Sequence, residues 1–253
     1  MAKKDRRQIF NSARRLPIVF CLDVSPSMGW RIGNNSASIE LLNDAVNQFV
    51  DELREDVRAC SGAEIAFLTF TDKVEMETDF ESINSIKRQA FKTVDESGTS
   101  LAKAVLRCFE KIEKHRQKLA DAEIPCFAPF FVLVTDGDPD EMDYEEQMLE
   151  AKALKEIRSH CMEGIPSSEF IVPFIIGVGD HVNPDTLNRY AAGIGPGYFP
   201  IKGKNTDASV RFGKVFKMIR NSASQSFRPA AQSEMLEMIQ NNMDELYRDL
   251  LGE

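Results

Sequence analysis

Asp23, Ser25 and Ser27 set one carboxylate and two hydroxyls at alternate positions of a single short turn, Asp-Val-Ser-Pro-Ser. Two more oxygen donors stand far along the chain: Thr99 in Glu96-Ser97-Gly98-Thr99-Ser100, and Asp136 in Thr135-Asp136-Gly137. An all-oxygen set of this kind suits a hard cation. Mg²⁺ takes typically about six oxygens in octahedral geometry, and it usually keeps waters or accepts an oxygen from its ligand. Mg²⁺ is therefore the expected ion, with Mn²⁺ or Ca²⁺ able to use the same donors. Ser25, Ser27 and Thr99 are neutral, so only Asp23 and Asp136 offset the charge. These side chains, some acting through water, leave the coordination sphere incomplete. A cation held in this way would attract a carboxylate from outside.

Such donors meet only if the fold brings the ends of several elements together. Four apolar runs, at 16–24, 64–70, 127–135 and 170–178, are rich in β-branched and aromatic residues. Runs of this kind are expected of strands buried on both faces of a parallel sheet. Residues 73–80 follow the second run after too short a connection for a crossover, which predicts an antiparallel edge strand. A last short strand is expected at 197–201.

Helix-period stripes alternate with these runs. Ile39, Leu42, Val46, Phe49, Val50, Leu53 and Val57 form one, Leu101, Val105, Cys108, Phe109 and Ile112 a second, and Leu149, Ala153, Leu154, Ile157 and Cys161 a third. The pattern predicts an α/β fold, doubly wound and mostly parallel, with helices on both faces. In such sheets ligands bind beyond the carboxyl ends of the strands, which is where Asp23 and Asp136 fall. Residues 206–226 read as the closing helix. After a break at Arg228-Pro229-Ala230-Ala231, an appended amphipathic helix is expected at 233–251, with a seam of Leu236, Ile239, Met243, Leu246 and Leu250. That helix either docks on its own domain or serves a partner. The expected organisation is a basic tail at 1–14, one domain at 15–226, and a linker with the C-terminal helix at 227–253.

The order Asp23-x-Ser25-x-Ser27, then Thr99, then Asp136, resembles the metal-ion-dependent adhesion site of von Willebrand factor A-type (VWA) domains, over roughly residues 15–226. The resemblance implies a Rossmann-like sheet. It also implies that Ser25, Ser27 and Thr99 contact a metal, and that Asp23 and Asp136 act directly or through water. An acidic partner residue would complete the sphere, so the implied function is that of a metal-dependent protein-interaction adaptor. Residues 96–100 and 135–140 are similar to the intracellular bacterial tellurium-resistance (TerY-type) group, which implies a stress-response or defence complex. Pro26 departs from the glycine often found inside the first motif; it fixes φ and removes a donor.

Other classes fit less well. The net charge is −9 and the isoelectric point near 5.1, which argues against a nucleic-acid partner. Lys3, Lys4, Arg6, Arg7, Arg14 and Arg15 form a local basic stripe that reads as a solvated tail. Cys21, Cys60, Cys108, Cys126 and Cys161 are isolated and apolar-flanked, as expected of reduced thiols in a cytoplasmic protein. No run is long enough for a signal core or a membrane span. Asp136, Asp138 and Asp140 mimic the opening of an EF-hand loop, but Glu141 replaces its glycine and Gln147 its last glutamate. Asp138, Asp140, Glu141 and Asp143 read instead as a solvated helix start. Trp30 is either a core residue or an exposed partner anchor, and 31–38 reads as a loop over the metal. No nucleophile elbow, phosphate-binding loop or nearby histidine base supports an enzyme. The rival readings are a Mg²⁺-dependent phosphate or ester hydrolase, and a structural subunit binding through its C-terminal helix.

Overall fold

The computed structural model describes residues 14–32, 36–95, 98, 100–137, 143–162, 165–166, 169–191, 195–202, 208–228 and 232–252. Strand β1 (Leu16–Asp23) lies between β2 (Ala63–Phe70) and β5 (Phe130–Thr135), parallel to both. Beyond β5 come β6 (Val172–Val178) and β7 (Phe199–Ile201), also parallel. On the other side, β3 (Val74–Glu77) and the two-residue β4 (Glu81–Ser82) run antiparallel to β2. The sequence pattern led to a single antiparallel strand at 73–80. The strand is instead shorter, β3 at Val74–Glu77 with a register shift at Thr69/Phe70, and β4 adds a second antiparallel pairing beyond the segment.

The strands are buried on both faces, as their unbroken apolar runs require. Ile18, Phe20 and Leu22 face one core layer with α1 (Ser38–Glu55), α5 (Ala208–Ser226) and α6 (Gln232–Leu251). Val19 and Cys21 face the other, with α2 (Leu101–Asp121), α3 (Tyr144–Cys161) and the short α4 (Pro184–Tyr190). This is the period-2 alternation of a strand between two helical layers.

Helix boundaries follow from local chemistry. Asp143 caps α3 by accepting from the Glu146 N–H, while the Glu146 side chain accepts from the Asp143 N–H, a reciprocal capping box. The acidic start at Asp143 is thus a cap; Asp138, Asp140 and Glu141 lie outside the described residues. Asn183 caps α4, with Pro184 in its first turn. Val57, placed on the α1 stripe by its spacing, is 84% exposed. The helix stops at Glu55 and an extended Asp56 turns the chain away.

Helix α6 docks on the domain. Met235, Ile239, Met243 and Leu250 are buried, while Leu236 and Leu246 are only partly so. The seam is therefore turned by one residue at its start from the heptad reading. Arg211 donates to the Leu250 carbonyl and Lys214 pairs with Asp249, fastening the end of α6 to α5. At the other terminus, Arg14 and Arg15 belong to the domain surface: the Arg14 guanidinium lies over the Phe127 ring and Arg15 pairs with Glu64. Lys3, Lys4, Arg6 and Arg7 lie outside the described residues. All five cysteines are free thiols, three of them buried, and no described helix is long and apolar enough to cross a membrane.

Candidate metal centre

Sequential connections leave β1 for β2 on one side, and the chain returns to β5 on the other, so the crossovers diverge at the β1/β5 boundary. The carboxyl ends of these two strands border the crevice that a doubly wound sheet opens at such a point. Asp23 is the last residue of β1, and Asp136 directly follows β5.

Asp23 is fully buried. Its Oδ1 accepts from the Ser25 N–H at 2.9 Å and its Oδ2 from the Thr135 hydroxyl at 2.6 Å. Burial pushes its carboxyl above the ordinary range, against the lowering pull of these donors. The Ser25 and Ser27 hydroxyls lie 3.0 Å apart, and Ser27 donates to Asp136 Oδ1 at 2.9 Å. Asp136 is pushed up to about 7, first by burial and then by the charge of Asp23. Ser25, Ser27, Asp23 and Asp136 therefore form one connected oxygen cluster across two strand ends. A divalent cation fits this donor chemistry, because it would relieve the repulsion between two carboxylates that burial already disfavours as anions.

Pro26 stands at the start of a 3-10 turn, Pro26–Gly29. A proline there fixes a suitable φ and loses no donor that the turn would use. The Met28 N–H donates to the Ser25 carbonyl and the Trp30 N–H to the Ser27 carbonyl, holding both serines towards the cleft.

Thr99 lies outside the described residues, as do Glu96 and Ser97, but the chain on either side is fixed. The Val94 N–H donates to the Val24 carbonyl at 2.9 Å, and the Ser100 N–H to the Thr71 carbonyl at 2.7 Å. Gly98 has φ +119°, and a Cβ there would stand 2.8 Å from Asp72 Cβ. Only glycine fits so close an approach with that backbone. Val94 and Ser100, on either side of Thr99, are thus anchored at the ends of β1 and β2. Among the described residues no cluster of three or more His, Cys, Asp or Glu side chains could hold a metal; this set has two carboxylates and relies on hydroxyls.

Thr135, in the sequence no more than a neighbour of Asp136, ties both halves of the site together. Its hydroxyl donates to Asp23 and accepts from the Gly137 N–H at 3.1 Å. Trp30 is settled by its 63% exposure: it is a rim residue, edge-on to the His181 ring at 6.3 Å between centroids.

The family model of the von Willebrand factor type A domain matches residues 18–210, and the chain belongs to that family. No curated protein matches it. Among solved structures, the PilB minor pilin from Streptococcus sanguinis is similar at 13% identity and a TM-score of 0.58, covering 85% of this chain and 63% of the pilin. A von Willebrand factor type A protein from Catenulispora acidiphila is similar at 16% identity and TM-score 0.57, with 85% and 43% covered. The pilus adhesin SpaC from Lactobacillus rhamnosus GG matches at 10% identity and TM-score 0.56, with 85% and 31% covered. The chain spans less than two thirds of each of these relatives. At these identities the likeness shows the shared fold alone, a mostly parallel α/β sheet between helical layers.

Proposed function

We propose that the chain is a protein-interaction module that holds one divalent cation, Mg²⁺ in the first instance, at Asp23, Ser25, Ser27, Thr99 and Asp136. The free coordination position binds a carboxylate of a partner protein. The observation that carries this reading is the hydrogen-bonded chain Ser25–Ser27–Asp136 beside the buried Asp23 at the β1/β5 crevice. Its donors are all oxygens, and the two carboxylates lie close enough for Asp23 to raise Asp136. Neutral hydroxyls leave the ion electron-poor, which favours an anionic ligand from outside. The family, generally one of adhesion and protein-interaction modules, is consistent with that use. Residues 96–100 and 135–140 are the whole basis for placing this activity in a cytoplasmic stress-response or tellurium-resistance complex.

Metal-dependent capture tests the proposal. Immobilised full-length protein should retain a carboxylate-rich peptide pool in Mg²⁺, release it in chelator, and lose it on Asp23→Ala in a variant that still folds. Retention unaffected by both chelator and Asp23→Ala would overturn the assignment.

A further inference from the structure

Beside Ser27 and Asp136 opens a cleft of about 120 Å³, lined also by Trp30, Arg31, Ile32, Val178, Asp180 and His181. One wall is the Trp30 indole, 63% exposed, on a backbone held by hydrogen bonds. The Trp30 N–H donates to the Ser27 carbonyl at 2.8 Å, and the Trp30 carbonyl accepts from both the N–H and the hydroxyl of Ser38. Arg31 and Ala37 then bridge antiparallel behind it. Exposed aromatic surface is costly to leave in water, and a pinned aromatic loses little entropy on binding. Such a ring beside an anion-seeking centre has the properties of an interface anchor.

We infer that this cleft is a side-chain subsite: it takes a large apolar or aromatic residue adjacent in sequence to the carboxylate bound at the cation, so the partner is an acidic segment with an apolar neighbour. The inference rests on the reading of the site as a carboxylate-binding metal centre. Charge and shape both select this occupant. The open coordination position takes the acid, with Arg31 beside it to offset Asp180, and the exposed Trp30 face, edged by Ile32 and Val178, gives the adjoining side chain an apolar seat. The size of the cleft fits a single side chain rather than a helix.

The test selects random short displayed peptides on Mg²⁺-loaded full-length protein with elution by chelator, in parallel on wild type and Trp30→Ala. Calorimetric Mg²⁺ titration and a thermal melt accompany both proteins. Wild type should enrich Asp or Glu next to Phe, Tyr, Leu, Ile or Met. Trp30→Ala should still enrich the acid but lose the apolar neighbour, and should bind the wild-type-selected peptides roughly tenfold or more weakly. Because Trp30 is the only tryptophan, a selected peptide should also shift the intrinsic emission of the wild-type protein. An unchanged apolar preference in Trp30→Ala, acid enrichment without any neighbour preference, or peptide binding that leaves the emission unmoved would each overturn the subsite. Mg²⁺ binding without any chelator-eluted peptide would overturn the carboxylate reading and the subsite with it. Failure to bind Mg²⁺ at all would instead remove the metal centre.

Discussion

Asp136 sits where burial and the charge of Asp23 both oppose its ionisation, so its carboxyl is pushed up to about 7 from an ordinary value of 3.8. A cation must displace the proton held there, so Mg²⁺ affinity should fall by up to about tenfold per pH unit below 7. Titrations at about pH 8, 7 and 6 check this; a flat profile would remove Asp136 from the ligand set. The same shift bears on the metal-free protein. A raised carboxylate stabilises the fold fully below its unfolded value, and that contribution is lost as the pH climbs from 3.8 to about 7. Followed through that window without metal, wild type should lose stability relative to Asp136→Asn as the pH rises, because the amide does not ionise. Thr135 acts one step behind the proposed ligands. Replacing it with valine leaves Asp23 Oδ2 without its 2.6 Å donor, and should cost about 10–100-fold in Mg²⁺ affinity. The Asp-x-Ser-x-Ser spacing and the Thr-Asp-Gly string were legible in the sequence because each is compact. The role of Thr135 was not, since its partner is 112 positions away.

Helix α1 holds the long segment that leads to Thr99. Asn43 and Asn47, one turn apart, each make a two-way amide contact with that segment. The Asn43 side chain donates to the Phe91 carbonyl and accepts from its N–H, at 2.8 and 2.7 Å. Asn47 does the same with Gln89, at 2.9 and 2.8 Å. These bonds replace the strand ladder that the segment lacks. Asn47→Ala strips two of them from a buried site and should destabilise the fold by about 1–3 kcal/mol, read by denaturant unfolding. Gly98→Ala forces a Cβ against Asp72 and should cost about 1–3 kcal/mol, weakening the metal centre through the adjacent Thr99. Periodicity revealed the apolar side of α1 because core burial repeats every turn. It could not show what the asparagines do, since their partners depend on where residues 86–94 return. The same limit explains Val57, whose spacing fits the stripe although a turn at Asp56 removes it, and the register of α6, where Met235 is more deeply buried than Leu236.

Across the whole molecule, the alternation of strands and helices was legible because buried parallel strands and helical stripes carry different periods, whereas the order of the strands in the sheet was not. The short β4 and α4 were not, having too few residues to show a period at all. Helix α6 integrates the molecule: Met235, Ile239, Met243 and Leu250 are buried in the same core as α1 and α5. Each such side chain contributes about 1.5–3 kcal/mol, so removing residues 232–253 should lower the melting temperature by many degrees or abolish the cooperative transition. A truncation with an unchanged melt would mean that α6 is merely appended. The central claim concerns the crevice between β1 and β5, and calorimetric titration of metal-stripped full-length protein with Mg²⁺ and Mn²⁺ tests it most directly. The account predicts saturable one-site binding that is weakened at least tenfold in folded Asp23→Ala and Thr99→Ala variants. Binding of neither ion by folded wild type, or equal binding by wild type and both variants, would contradict it.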